Sequence, residues 1–248
     1  MKGIFVMVCG LDLSGKDTFV DSIAEHLEKQ GKKVFDLRAY GKQHKEPPEP
    51  EELKNYDVIL SGEPTYFWTG LSIRNEIITK KRPYPAIATA HAFAQDRYIL
   101  YKRIIIPMLK KGKTIIQSRG VVTSMAYQPL QAKFQKENLT FKQVISLSGN
   151  QFTLKYPPNL LLISKCPAEE CMRRKNMREK QDQAKFEELN FLKALEKRYI
   201  SKEVIEPFKK RGTKVKYINT NISIPYTKSA AIAAFEEFLN QNLYKIQI

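Results

Sequence analysis

The chain has 248 residues, 42% of them hydrophobic, which is enough to bury one sizeable core without a second independent domain. Its net charge of +16 is spread through KKGK, KKR, RRK and FKKRGTK with no nucleic-acid module, so a solvated lysine-rich surface is the preferred reading and nucleic acid is not an expected partner. No apolar run approaches the roughly 18 residues of a membrane span, the opening MKGIFVMVCG carries no cleavage site, and the three cysteines, Cys9, Cys166 and Cys171, form no CxxC pair; a soluble, cytoplasmic protein with free thiols is expected.

The apolar run Ile4 to Cys9 predicts a buried strand. It leads into GLDLSGKD, Gly10 to Asp17, and then into an amphipathic segment with Phe19, Ile23, Leu27 and Val20, Ala24 at helical spacing, ending near Gly31. Strand, glycine-rich loop and helix in that order read as a phosphate-binding P-loop. The glycines let backbone N–H groups converge on phosphate oxygens, the helix points its positive end at them, and Lys16 reaches the outer phosphates. The candidate nucleotide-binding residues are therefore Gly10, Leu11, Asp12, Leu13, Ser14, Gly15, Lys16, Asp17 and Thr18. The eighth position normally carries a hydroxyl for magnesium. Here it is Asp17, followed by Thr18, and both are candidate metal ligands.

Further apolar stretches lie at Val34 to Leu37, Val58 to Leu60, Thr114 to Ile116, Leu160 to Ser164 and Val215 to Ile218, separated by helical patterns. That alternation predicts an α/β fold, a mostly parallel sheet covered by helices. Between the second and third stretches, residues 40–56 are Pro-rich and charged and read as an exposed insertion within a single domain spanning 1–248. The longest helical pattern runs from Ala86 to Lys111, with Pro107 expected to bend its last turns and Gly112 closing it before the strand TIIQ.

In this order the motifs resemble the thymidylate kinase family of P-loop nucleoside monophosphate kinases, over most of the chain. GLDLSGKDT is similar to the family's GLDGSGKST, and SGEPTYFWTGLSIRNEII to the stretch that begins TREP. AFAQDRYILYKRIIIPML resembles its long central helix. IIQSRGVVTSMAYQ sits where the family has a strand, DRY and a small-x-x-Tyr helix. AKFEELNFLKALEKRY resembles the segment after its mobile lid. The resemblance implies a three-layer P-loop NTPase fold with a helical lid at 173–186, and a homodimer. It also implies ATP and Mg2+ as cofactors and transfer of the γ-phosphate of ATP to dTMP, giving dTDP and ADP. A kinase for another deoxynucleoside monophosphate, or a nucleotide-binding homologue without turnover, are the alternative readings.

The chemistry fits. A monophosphate acceptor is already largely dianionic at neutral pH, its second pKa being about 6, so its attacking oxygen needs no general base; positioning and charge neutralisation suffice. Phe93 and Arg97, four apart on a helix, share a face. From the residues alone a core ring and a surface ion pair are the favoured reading, over a ring that stacks on a base and a guanidinium that binds it or the acceptor phosphate, whereas the resemblance places both at the thymidylate site. Arg119 follows a buried strand and corresponds to the arginine that clamps the acceptor phosphate. Ser124 and Tyr127 resemble base-contacting and sugar-facing positions, the Tyr standing where a ribose 2′-hydroxyl would go. Asp12 matches an aspartate near the acceptor's sugar and phosphate, with helix capping as its competing role. Leu13 replaces a basic loop residue, and members without one supply lid cations; Arg173, Arg174, Arg178 and Lys185 are the candidates. Two positions depart from the pattern. Ser118 replaces the Asp of DRY, which helps organise magnesium, and Gly62 replaces the arginine of TREP. Asp17 is the candidate to supply the lost carboxylate, and Glu63 is a second metal candidate that alternatively orients an arginine.

Overall fold

The structure, a computed structural model, describes residues 3–79, 83–177 and 189–243. Strand β1 (Ile4–Cys9) leads through the glycine loop into helix α1 (Lys16–Lys29), which is followed by β2 (Val34–Asp36) and α2 (Leu37–His44). Then come β3 (Val58–Gly62), α3 (Trp68–Ser72), a π-helical turn (Ile73–Ile77) and α4 (Ala86–Leu100). A second π-helical turn (Tyr101–Ile105) joins α4 to α5 (Ile106–Lys110), ahead of β4 (Thr114–Ser118) and α6 (Val121–Phe134). Helices α7 (Phe141–Ser146) and α8 (Ser148–Leu154) precede β5 (Leu160–Lys165) and α9 (Ala168–Asn176). The chain closes with α10 (Leu189–Tyr199), α11 (Lys202–Lys209), β6 (Lys214–Asn219) and α12 (Ile224–Leu243).

The six strands form one sheet, ordered β2-β3-β4-β1-β5-β6, with every pairing parallel. Because side chains alternate across a strand, Val6 and Val8 face the layer of α1 and α12, where Phe19, Ile23, Phe235 and Phe238 cover them. Phe5, Met7 and Cys9 point the other way, into the larger core built with Tyr101, Ile104, Met125, Phe191 and Phe208. Phe5 meets the Tyr101 ring edge-on at 5.9 Å. Both faces of the central strands are therefore apolar, and the three-layer α/β fold follows. Strand β1 lies between β4 and β5, so the chain runs to one side after β1 and crosses to the other after β4. The crevice at the carboxyl ends of such strands is where open parallel sheets bind ligands.

The expected helix from Ala86 to Lys111 is α4, a π-helical turn and α5. Pro107 falls in the first turn of α5, where a missing N–H costs least, and the wider turn just before it takes up the interruption. The stretch 40–56 is mostly exposed on its charged residues but is tied down, since Leu53 is completely buried in the core beneath β3. Asp36 caps α2 by accepting from the N–H groups of Arg38 at 2.8 Å and Ala39 at 3.3 Å. Among the described residues no helix is long and apolar enough to cross a membrane.

Candidate active site

The loop after β1 is shaped by backbone that ordinary residues resist. Gly10 has φ +151°, and a Cβ there would fall 2.0 Å from Ser164 Oγ, so only glycine fits between the loop and β5. Leu13 and Gly15 are also left-handed, at φ +64° and +87°. The Ser14 and Ser164 hydroxyls are hydrogen-bonded, and Ser164 Oγ donates to the Cys9 carbonyl at 3.3 Å. No side chain caps the start of α1, which leaves its first N–H groups for an anion. Lys16 is only 5% exposed, with its Nζ 3.4 Å from Asp12 and 3.7 Å from Asp17.

Asp12 faces Lys16 and Arg119, and these cations rather than the helix N–H groups occupy its carboxylate. Burial pushes its pKa up, but Arg119 and Lys16 outweigh burial and hold the carboxyl far below the usual range. Arg119 itself has φ +67°, an uncommon conformation for a side-chain-bearing residue, and its N–H donates to the Val8 carbonyl at 2.7 Å. That bond fixes the backbone of Arg119 at the end of β4, beside the loop, where Asp12 engages its guanidinium. Asp17 Oδ1 accepts from Ser118 Oγ at 2.7 Å. Burial raises the Asp17 pKa, whereas Lys16 and the Ser118 hydrogen bond bring it down, with a net lowering.

Beyond Arg119 a cavity of about 180 Å³ opens between α4 and α6, and Phe93, Arg97, Ser124 and Tyr127 all line it. Arg97 is 1% exposed. Its Nε reaches the two Glu63 oxygens at 2.9 and 3.2 Å, its Nη2 reaches Glu63 at 2.5 Å and Ser124 Oγ at 2.9 Å, and its Nη1 binds Asn150. Gln117 Nε2 adds a bond to Glu63 at 3.0 Å. Burial pushes the Glu63 carboxyl upward and Arg97 opposes it. Enclosed in this way, the Glu63 carboxylate, a metal candidate from the sequence, has its oxygens on Arg97 and Gln117. Among the described residues no group of three or more His, Cys, Asp or Glu is arranged to hold a metal. Tyr127 packs edge-on against Phe191 at 4.9 Å.

Of the lid candidates, Arg174 reaches the phosphate loop. It donates to the Leu13 carbonyl at 3.2 Å and the Thr220 carbonyl at 2.7 Å, with Nε on Glu170 at 2.8 Å. Arg173 stays at the surface on Glu170, at 2.7 and 2.8 Å, and the two arginines hold the Glu170 carboxyl down at about 2. Arg178, Lys185 and most of the segment 173–186 lie outside the described residues.

Sequence reasoning missed several residues. Gln128 and Gln131 line the cavity on α6, and their positions four and seven after Ser124 put them on its face, a signal the helical period carries. Arg74 also lines it, donating to the Thr65 carbonyl at 3.0 Å and to the Pro64 carbonyl. Asp96 accepts from the Thr65 N–H at 2.8 Å and hydroxyl at 2.6 Å, pinning the turn after β3. Arg38, from the segment before β3, runs beside Gly62, where a Cβ would lie 3.6 Å from its Cδ. A cation thus stands next to the position that lacks one, held by Asp21 at 2.8 Å and Asp36 at 2.9 Å.

A phosphate loop and an arginine-bearing pocket that meet at the carboxyl edge of one parallel sheet define a P-loop protein with room for a nucleotide and a second ligand. Comparison with known proteins narrows this. The family model for thymidylate kinase matches residues 50–225. A probable thymidylate kinase of Pyrococcus abyssi is 31% identical over 183 residues, 72% of each chain. One from Thermococcus gammatolerans is 31% identical over 183 residues, 71% of this chain and 72% of its own. The thymidylate kinase of Caldicellulosiruptor saccharolyticus is 26% identical over 210 residues, 85% of this chain and 86% of its own. The chain belongs to the thymidylate kinase family.

Proposed function

We propose that the chain is an ATP-dependent dTMP kinase, transferring the γ-phosphate of ATP to dTMP to give dTDP and ADP. The observation that carries this reading is the bond between Arg119 and Asp12: a loop residue and a pocket residue form one wall, so the two ligand spaces meet where a phosphoryl group would pass. Lys16 and Arg119 are the cations that would disperse charge on the transferring group, and the acceptor's dianion attacks without a general base. The Arg97–Glu63 unit holds a preset guanidinium at the base, Phe93 offers its ring for stacking, and Ser124 contributes a hydroxyl whose proton is free to donate. Tyr127 stands at the sugar and favours a deoxyribose. Among the described lid candidates, Arg174 is the one that reaches the loop. A homodimer working in the cytoplasm completes the reading, the dimer being checked by sedimentation of the purified chain.

Magnesium fits the donor set at the loop exit. Asp17 and Thr18 supply oxygen ligands of the hard type the ion prefers, and with so few protein ligands the remaining positions would go to phosphate oxygens and water. When bound, it neutralises charge on the outer phosphates. The test is ADP formation from ATP and magnesium with each nucleoside monophosphate in turn, ribose forms and a no-acceptor control included. Preference for dTMP supports the reading. Turnover with a different acceptor alone overturns the substrate assignment, and absence of turnover overturns the kinase assignment.

A further inference from the structure

P-loop enzymes normally place a Ser or Thr hydroxyl after the loop lysine and a carboxylate at the end of a neighbouring strand, and magnesium lies between the two. In this chain the loop position is Asp17 and the strand end is Ser118. Strand β4 is hydrogen-bonded to β1 with Ser118 in register with Val8, so Ser118 stands at the level from which the loop departs. The two side chains meet directly, Ser118 Oγ donating to Asp17 Oδ1 at 2.7 Å. Their exposures differ sharply. The Asp17 side chain is 62% exposed and its Oδ2 stands 3.7 Å from Lys16 Nζ, on the side where phosphates would bind, while Ser118 is 6% exposed. The hydroxyl is thus the enclosed partner and the carboxylate the open one. Gly62, whose added Cβ would lie 3.4 Å from the Ser118 carbonyl, leaves the strand end uncrowded.

We propose that the carboxylate and hydroxyl of the metal site have exchanged places between loop and strand: Asp17 is the carboxylate that meets the divalent cation of the bound nucleotide, and Ser118 is the positioning hydroxyl that aims it. The inference rests on the kinase reading for its choice of ligand but is tested apart from it. Mn2+ binding in the presence of ADP is followed by electron paramagnetic resonance, and ADP affinity without metal, by calorimetry, serves as the folding control. Asp17→Ser weakens Mn2+ binding about 100-fold and Ser118→Ala about 10-fold, while Ser118→Thr, which keeps the hydroxyl, stays near the parent. The exchange variant Asp17→Ser/Ser118→Asp restores one group of each kind and recovers Mn2+ affinity to within about 3-fold of the parent, a result that a purely structural hydrogen bond does not produce. Unchanged Mn2+ binding in Asp17→Ser, an exchange variant no better than Asp17→Ser, or a Ser118→Thr as weak as Ser118→Ala each overturns the proposal. Should the exchange variant fail to fold, the Ser118→Ala and Ser118→Thr pair decides. A parent that phosphorylates no nucleoside monophosphate yet shows this Mn2+ pattern sinks the kinase reading and leaves the exchange standing.

Discussion

In the phosphate loop, the candidate site is nine consecutive residues, Gly10 to Thr18, and their main instrument is backbone shape. In the acceptor pocket the decisive contacts join residues far apart in the chain: Arg97 to Ser124, Glu63 and Asn150, at separations of 27, 34 and 53, and Arg119 to Asp12 at 107. The loop presents a cation that Asp12 and Asp17 approach only at 3.4 and 3.7 Å, whereas the pocket's Arg97 is clasped by its carboxylate at 2.5 Å. On the proposed reading, the contrast teaches that Lys16, the loop cation facing a mobile phosphoryl group, is left loosely held, and that Arg97, the cation facing a base, is locked before the base arrives.

Removing the loop cation and removing the counter-charge of the pocket cation should then give opposite signatures. Lys16→Met, close in size, should lower phosphoryl transfer by about 10³-fold with little change in melting temperature, checked by ADP release and a thermal scan. A large loss of stability would show that Lys16 is locked like Arg97. Glu63→Gln should do the reverse. It leaves a buried guanidinium without its counter-charge and should cost about 3 kcal/mol, a fall in Tm of about 6–12 °C. An unshifted Tm would mean that Asn150 and Ser124 suffice. Gly10→Ala tests the loop's dependence on shape, with an expected cost of about 2 kcal/mol and weaker ATP binding by calorimetry; normal affinity would argue that the loop yields.

Asp12 links the two regions, and acid should expose it. Its folded pKa lies below its unfolded value of about 3.9, so its contribution is complete above about pH 4 and is lost as the pH falls further. The stability gap between the parent and Asp12→Asn, of order 1 kcal/mol, should therefore close on acidification below pH 4. A gap independent of pH contradicts the pairing with Lys16 and Arg119. The smallest effect is at Cys9, fully buried, with its thiol pushed up by burial to about 12. It should resist alkylation in the native state at pH 8, as counted by mass spectrometry, and fast labelling would mean that the floor of the loop opens.

The same contrast explains what could be read from the amino acids. All six strands and the loop were legible because each is a contiguous signal, an apolar run or a glycine pattern tied to one backbone geometry. Phe93, Arg97, Arg119, Ser124 and Tyr127 were found through motifs and do gather around one cavity. Asn150 was not found. It reaches Arg97 because α8 packs closely on α4, where a Cβ on Gly149 would fall 2.0 Å from the Ala94 carbonyl, and no local pattern encodes that approach. Arg38 and Leu53 were hidden for a related reason. A Pro-rich charged composition announces an exposed stretch but not the one leucine that anchors it, nor the arginine just ahead of it that lies beside Gly62. Glu63 was read with two roles open, and no sequence pattern announced that it would be buried against Arg97.

The most direct test of the account is to follow the label from γ-labelled ATP in the presence of dTMP and magnesium. The account predicts that the label appears in dTDP, with one ADP formed for each dTDP, and that both fall together in Arg119→Ala. Label recovered as inorganic phosphate, or retained in ATP while dTMP stays unchanged, would contradict it.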